Sequence, residues 1–469
     1  MKLDLDKITM SLNSLDDAKQ VVGELVKIIK ELQKKNDELQ EQLNTNSKNS
    51  SLPPSSDKKK EKLIKPKTGR NRGGQPGHQA SQRKIIPSDQ VDQIIECKPD
   101  IECKCGGSIV IDSKFQQHQV FEIPIPKFEV NEYRIFNGYC DACHDTYKGN
   151  LPTGITWKGF GVRAQAMVSL LTSKYRLSKR LVQAWFKDVY QMPICIGSVS
   201  NVENTVSQSL ASLHEELGNA VKITKIVHID ETGHKECNKN AWMWLMSTSQ
   251  YTYFKLDKSR GKKVAKELIG DFSNRIIVTD RYAAYDYLPN RNHQVCWAHL
   301  KRDFQKISER DGSAGRIGSK LLKVYEQIFC LWKTELQDDK PILKKQRKRI
   351  RYLKTKMHKW LYAGMLCKHA KTARTCENIL EFSESLWNFL TVKDVSPTNN
   401  HAERQLRPLV ISKKLTFGTQ SKRGSRFIER IFTVVMTCKQ QGIDTLTFLI
   451  NSVEKYFRKE EAPSLVISN

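Results

Sequence analysis

Apolar residues recur at heptad spacing near the start of the chain. One seam holds Leu15, Val22, Ile29, Asn36 and Leu43, the other Ala18, Leu25, Leu32 and Leu39, and charged residues fill the remainder. This spacing predicts a coiled-coil helix within residues 1–46, and a lone Asn in an a-type seam is a device that fixes register in a parallel pair. An amphipathic helix lying on its own domain would show the same stripe; the charge density between Lys27 and Glu38 favours pairing with a second copy. The pattern stops after Leu43. Residues 47–86 are polar, contain Pro53-Pro54 and cannot bury a core, so they are expected as a basic flexible linker.

Within 87–155 two stretches, Gln119 to Val130 and Tyr133 to Tyr139, read as hairpin strands lying between two cysteine pairs. Residues 156–222 read as helices: Arg163 to Lys174, then Ser178 to Tyr190 with Leu181, Val182, Trp185, Phe186 and Val189 on one face. A third opens at Gly197-Ser198-Val199-Ser200-Asn201 and runs to Leu217. Helices joined by a short turn resemble a helix-turn-helix, although ordinary helical hairpins look the same.

The pattern then changes to short β-branched and aromatic runs. Ile226-Val227-His228-Ile229 closes on Asp230, Ala241 to Ser247 and Tyr251 to Leu256 follow, a helix spans Gly261 to Leu268, and Arg275 to Thr279 ends at Asp280. A meander, a crossover helix and a strand parallel to the first give a ribonuclease-H-like sheet, in which the strands ending in Asp230 and Asp280 are neighbours. His293 to Asp303 reads as a fifth strand running into a helix. Asp280 and Glu403 are 123 positions apart, more than such a core needs, and Ile317 to Leu336 and Ile342 to Met365 read as helices between them. The expected organisation is therefore multidomain α+β. A coiled coil, the linker, a zinc-ribbon-like module (87–155) and a helical DNA-binding segment (156–222) precede a ribonuclease-H-like catalytic core. That core runs over 223–310 and 396–445, is interrupted by a helical insertion (311–395), and is followed by a tail (446–469).

Charge narrows the partner. The chain has 78 Lys+Arg against 51 Asp+Glu, a net charge of +27, which calls for a polyanion, with double-stranded DNA ahead of a membrane surface. No apolar stretch is long enough to span a membrane, and Met1-Lys2-Leu3-Asp4 does not open a signal peptide. Residues 57–86 carry ten Lys/Arg and two acids, and Arg70 and Arg72 are expected to follow a phosphate backbone or minor groove. Residues 340–376 carry thirteen Lys/Arg and no acid, a second phosphate-facing surface. Twelve cysteines are too few for a disulfide scaffold in a chain of 469 residues, and their clustering fits a reducing cytoplasm. Cys103, Cys105, Cys140 and Cys143 suit a structural Zn²⁺, although the first pair is spaced C-x-C, with Cys97 as a substitute.

Asp230 and Asp280, side by side at strand ends, are the residue type that two Mg²⁺ (or Mn²⁺) ions about 4 Å apart require for in-line displacement at phosphorus. Glu231 points to the other strand face and is expected to support Asp230 rather than bind metal. His299 and Arg302 are expected to touch DNA; for Trp297, DNA contact and core packing are equally compatible with the pattern. Glu403 lies early in a helix entered through Ser396-Pro397-Thr398-Asn399-Asn400, with Thr398 or Asn399 as its cap. Taken alone it reads as a first-turn acid favoured by the helix dipole. Arg404, Arg407, Lys413, Lys414, Lys422 and Arg423 around it form a basic surface for DNA.

These blocks resemble transposases of the insertion-sequence-66 family. The resemblance is carried by His228-Ile229-Asp230-Glu231-Thr232, Asp280-Arg281-Tyr282-Ala283-Ala284-Tyr285, Cys296-Trp297-Ala298-His299-Leu300-Lys301-Arg302 and Asn399-Asn400-His401-Ala402-Glu403-Arg404-Gln405-Leu406-Arg407-Pro408. Arg72-Gly73-Gly74-Gln75-Pro76-Gly77-His78 belongs with them. The resemblance implies a DDE transposase with Asp230, Asp280 and Glu403 as catalytic metal-binding residues. It also implies terminal inverted repeats and target DNA as substrates, a bacterial, nucleoid-associated setting, and accessory transposition proteins as partners. Its first cysteine knuckle usually reads CxxCG; here Glu102 stands in the first Cys position. Two other classes remain: a catalytically inactive DNA-binding repressor of the element, which predicts a broken triad, and a ribonuclease-H-like nuclease, which would not need end-recognition modules.

Overall fold

The computed structural model describes residues 15–46, 48–50, 57, 85–99, 104–111, 113, 115–336 and 343–467. Arg70, Arg72 and Cys103 lie outside them. The chain divides into two units, residues 59–128 and residues 1–58 with 129–469.

The heptad stretch forms helix α1 (Leu15–Asn44). Its seam residues Val22, Ile29, Leu32, Leu39 and Leu43 are exposed. Its far end is tied down: Glu41 accepts from Arg310 at 3.1 Å and Lys371 at 2.6 Å, and the Asn49 amide donates to Glu309 at 2.6 Å.

In the smaller unit the Gln119 side chain exchanges two 2.8 Å hydrogen bonds with the Ile86 backbone. The strands expected over Gln119–Val130 do not form. Pro124 and Pro126 each remove a ladder donor, and Val120, Ile123, Ile125 and Val130 are all at least 78% exposed. The end of the second expected stretch does form a strand: in the larger unit β1 (Asn137–Tyr139) and β2 (Thr146–Lys148) pair antiparallel across Cys140-Asp141-Ala142-Cys143.

Helices α2 (Val162–Ser173) and α3 (Lys179–Tyr190) follow, and the Ser178 hydroxyl caps α3 by accepting from the Leu181 N–H at 3.2 Å. The expected third helix is two, α4 (Ile196–Ser209) and α5 (Ala211–Ile223). At the break the Ser209 hydroxyl donates to the Val206 carbonyl at 2.9 Å, the local competition by which Ser interrupts a helix. Val182, Val206 and Leu217 of these helices share one hydrophobic core with Met243 and Phe254 of the sheet that follows.

That sheet is mixed. Strands β3 (Ile226–Glu236), β4 (Lys239–Ser247) and β5 (Thr252–Asp257) form an antiparallel meander; helix α6 (Lys262–Ile269) crosses over to β6 (Ile276–Thr279), and β7 (His293–Val295) completes the order β5-β4-β3-β6-β7. β6 runs parallel to β3, with Ile226 opposite Ile276 and His228 opposite Val278. Two further steps of this register set Asp230 against Asp280, on the same face. Parallel strands are buried on both sides: Ile277 faces the core shared with the helices, while Ile276 and Val278 face a second core.

The second core belongs to the insertion: α7 (Trp297–Ser308), α8 (Gly312–Glu335), α9 (Lys344–Met365) and α10 (Ala370–Glu381). α8 turns tightly onto α7, because a Cβ on Gly318 would lie 2.2 Å from the Ser308 nitrogen. The chain returns through α11 (Asn400–Thr416), α12 (Lys422–Gln441) and α13 (Thr445–Arg458). Residues 446–469, expected as a tail, thus carry a helix, whose Phe448, Leu449 and Val453 are buried in the first core.

α12 stands where a further strand would pair with β5. The backbone N–H groups of Leu256, Phe254 and Thr252 donate to Glu429 (2.6 Å), Thr433 (3.0 Å) and Thr437 (3.1 Å), which recur every four residues along one helix face. This closes an otherwise open edge. Between α11 and α12, Gly418 at φ +107° lets the chain pass against the Lys235 carbonyl, so that Thr419 bonds Lys235 and Cys237 of the β3–β4 hairpin. Among the described residues no helix is long and apolar enough to cross a membrane.

Candidate active site

Asp230 and Asp280 are both half-buried, and Glu403 sits in the first turn of α11. Asp230 accepts the Glu231 N–H at 2.9 Å and Asp280 accepts the Tyr282 N–H at 2.9 Å. Burial raises the Asp230 carboxyl well above the ordinary aspartate range; the charges of Glu231, Asp280 and Glu403 push the same way, and only the Glu231 N–H opposes them. Among the described residues no cation forms an ion pair with Asp230, Asp280 or Glu403.

Glu231 is the opposite case. It is buried, receives Nε of Arg260 at 2.9 Å and a second guanidinium nitrogen at 2.8 Å, and accepts the buried Tyr285 hydroxyl at 2.5 Å. Arg260 lies over the rings of Tyr282 (3.8 Å) and Trp242 (4.7 Å). Burial raises Glu231, and the Tyr285 and Arg260 contacts hold it back. Sequence reasoning missed Arg260, one of several basic residues between Lys258 and Lys263 with no pattern to set it apart from its neighbours.

A polar network joins β3, β4 and the start of α11. His228 Nδ1 lies 3.1 Å from Asn399 Oδ1, and the Asn399 amide donates to the Ile229 carbonyl at 2.7 Å. His401 bonds the Ser247 hydroxyl at 2.9 Å, and its ring lies 5.1 Å from that of His228. Burial depresses His228 to about 4 and lowers His401. Asn399 occupies the expected cap position of α11, but its side chain makes no cap bond.

A cleft of about 330 Å³ adjoins Asp280, lined by Arg281, Tyr282, His299, Arg302 and Asp303, with Asn49 and Ser50 at its rim. His299 and Arg302, expected at DNA, therefore share a cavity with Asp280. Burial lowers His299, while the nearby charges of Asp280, Glu403 and Asp303 favour its protonated form. Arg281 pairs with Asp303 and donates to Asn378 of α10 at 2.6 Å, fastening the Asp280 loop to the insertion. Trp297 is core: fully buried, its indole donating to the Leu386 carbonyl at 2.6 Å.

Of the other basic residues singled out, Arg404, Arg407, Lys414, Lys422 and Arg423 are exposed. Lys413 is not available in the same way, since its ammonium donates to the Thr232 hydroxyl at 3.2 Å and to the Gly233 carbonyl. The acid-free run supplies α9, a helix without a single carboxylate.

At the second knuckle the Cys143 and Ala142 N–H groups lower the Cys140 thiol, and the Cys140 N–H bonds the Asp145 carbonyl at 2.9 Å. Cys140 and Cys143 belong to the larger unit; Cys97 and Cys105 belong to the smaller one.

Among the described residues no group of three or more His, Cys, Asp or Glu is close enough to hold a metal ion unaided. The donor chemistry nevertheless suits Mg²⁺, which is bound through one or two carboxylates and completes its shell with water and substrate phosphate. Asp230 and Asp280 on one sheet face, without a cation, are such a pair.

A mixed sheet with unpaired carboxylates at its centre, enclosed by helices, is consistent with a transposase. A model of the Transposase IS66 family matches residues 160–426, more than half of the chain, and the chain belongs to that family. A model of a family of unknown function matches residues 8–84. Two relatives come from Sinorhizobium fredii (strain NBRC 101917 / NGR234). The uncharacterized protein y4qI is 25% identical over 242 residues, 46% of this chain and 43% of its own length. The uncharacterized protein y4hP is 22% identical over 414 residues, 78% of this chain and 72% of its own length. The chain thus spans less than half of the first relative.

Proposed function

We propose that this chain is a DDE transposase that binds the terminal inverted repeats of an insertion sequence and catalyses Mg²⁺-dependent strand cleavage and strand transfer. The observation that carries this is Asp230, whose carboxyl burial and the charges of Asp280 and Glu403 push upward, with no cation paired to any of the three among the described residues, in a chain of net charge +27. A fold tolerates such an acid where a function needs it. The strand order β5-β4-β3-β6-β7 supports a ribonuclease-H-like core.

In this reading Asp230, Asp280 and Glu403 hold the cations. Mg²⁺ held there would supply Lewis-acid activation of the attacking oxygen and charge stabilisation of the leaving one at phosphorus. Arg260 neutralises Glu231 and keeps it out of the ligand set. Arg404, Arg407, Lys414, Lys422 and Arg423 carry strand phosphates past the acids, and the cationic α9 extends the track. Water attack on the phosphodiester frees a 3′-hydroxyl at the element end; that hydroxyl attacks a target-strand phosphorus at the same site, forming a new phosphodiester as the target's own 3′-hydroxyl leaves. No protein nucleophile is required. The exposed seam of α1 pairs with a second copy, Cys140 and Cys143 supply half of a structural Zn²⁺ site, and the protein works at the bacterial nucleoid with accessory transposition proteins.

The test is cleavage of a labelled duplex carrying the element's own terminal repeat, in Mg²⁺ and in Mn²⁺, by wild type, Asp230→Asn and Glu403→Gln. A nick at the repeat boundary that disappears in both variants is expected. Binding without cleavage by wild type in either metal would favour an inactive repressor, and cleavage that survives Asp230→Asn would remove Asp230 from the site.

A further inference from the structure

Asn399 is 2% exposed, and its bonds lead to all three acids. Its side-chain amide donates to the Ile229 carbonyl, which belongs to the peptide unit leading into Asp230. Its backbone carbonyl accepts the N–H of Glu403 at 3.2 Å. Its backbone N–H points at the Cys296 sulfur at 3.1 Å, and the Cys296 N–H in turn donates to the Thr279 carbonyl at 2.9 Å, the peptide unit leading into Asp280. A neighbouring bond, Trp297 N–H to the Pro397 carbonyl at 2.9 Å, clamps the same segment.

We propose that Asn399 is the positioning residue of the site, setting the spacing of Asp230, Asp280 and Glu403 and, through that spacing, their affinity for a divalent cation. This rests on the metal-binding reading of the three acids. A plain helix cap would direct its side chain at the N–H groups of its own first turn; Asn399 leaves them and spends both ends of its amide on β3. With the amide nitrogen on Ile229, its oxygen accepts from His228 Nδ1 at 3.1 Å. The position needs one donor and one acceptor on a short stem. Aspartate lacks the donor and adds a fourth charge, and leucine has neither. Outer groups of this kind orient ligands that would otherwise sample several rotamers.

The experiment is Mn²⁺ binding to the full-length chain, followed by loss of the free-Mn²⁺ electron paramagnetic resonance signal, with thermal unfolding measured in parallel. Asn399→Ala is expected to bind Mn²⁺ about 10- to 100-fold more weakly than wild type. Cys296→Ala, a milder cut of the branch to Asp280, is expected to weaken binding several-fold and decides the matter if Asn399→Ala does not fold. Thr433→Val, remote from the acids, is expected to lower the melting temperature without changing Mn²⁺ affinity, which separates positioning from general destabilisation. Unchanged affinity in folded Asn399→Ala, or in Cys296→Ala where the first variant does not fold, overturns the proposal. Glu403→Gln is the lost-ligand reference. If wild type does not bind Mn²⁺, or if Glu403→Gln binds it as wild type does, the metal reading has failed and the proposal falls with it.

Discussion

Asp230 at the end of β3 and Glu429 on α12, packed against the β5 edge, are two acids that burial pushes upward, and their surroundings differ. Glu429 accepts the Leu256 N–H at 2.6 Å, and that bond, with the charges of Lys255 and Arg430, pulls its pKa back down. Asp230 has one bond, from its own neighbour, and three acids around it. The β5 edge is a place where polar groups are matched to the last N–H; the β3–β6 strand ends are a place where they are left mismatched. Polar groups that only hold a fold together are satisfied, because an unsatisfied one costs about 1–3 kcal/mol. Acids left without a cation at the ends of two neighbouring strands mark the working part.

Exchanging the two regions' roles by mutation gives the largest effect first. Asp230→Asn is expected to lower strand cleavage by about 10³-fold or more while leaving the metal-free protein as stable as wild type or more so. For an acid whose folded-state pKa is raised, the native state holds its proton more tightly than the unfolded chain. Stability on its account is therefore lost as pH rises from the ordinary value of 3.8 towards the raised one. At neutral pH the amide removes that penalty. Thermal unfolding without metal checks this, and a melting temperature several degrees below wild type would make Asp230 a structural acid like Glu429.

Trp297→Ala moves the other way. Trp297 is fully buried among Tyr325, Phe329, Trp387 and Phe389, with centroids 5.2–6.1 Å away. Its loss is expected to cost about 3–5 kcal/mol in denaturant unfolding. A cost below about 1 kcal/mol would mean that the insertion is not held to the sheet by this cluster.

What could be read from the sequence divides along a similar line. Periodicity located the strands, the crossover helix and α7 to α9, because a strand or helix face is written in consecutive residues. The register that sets Asp230 against Asp280 followed from the strand order. Destinations across the fold were not legible. Asn399 was expected as a cap and turned inward to β3, Lys413 was expected at DNA and bonded Gly233, and Arg260 carried no signal. Each depends on a partner 29 to 181 positions away, which no local pattern records. The strands expected over Gln119–Val130 failed for a local reason instead, the two prolines that alternate with Ile123 and Ile125.

A smaller effect concerns two buried histidines outside the set of acids. His214, bonded to the Phe254 carbonyl at 2.9 Å, and His293, bonded to Thr279 at 2.7 Å, are each depressed by burial to about 4. The unfolded chain takes up protons near 6.5, which these folded residues refuse. Their stabilisation is complete above pH 6.5 and is lost as pH falls towards 4, by at most about 3 kcal/mol each. Unfolding free energies measured between pH 7 and 4.5 should fall steeply, and His214→Gln should flatten the slope by about one proton. An unchanged slope would mean that His214 titrates normally in the folded protein.

The smallest expected effect tests the comparison where it began. Thr433→Val keeps the shape of the side chain and removes the oxygen that accepts the buried Phe254 N–H at 3.0 Å. Among the described residues no other strand lies beyond β5 to take over that donor, and bonds to Glu429 and Thr437 flank it. The cost is expected to be about 1–3 kcal/mol, the penalty of a stranded buried donor, read as a shift of the denaturant midpoint with an unchanged slope. Valine also adds a methyl to a helix face packed against Phe254, which offsets part of the loss and places the effect near the low end. A neutral substitution would show that the β5 edge is held by apolar packing alone, and the matched polar groups there would no longer be the counterpart of the mismatched acids on β3 and β6.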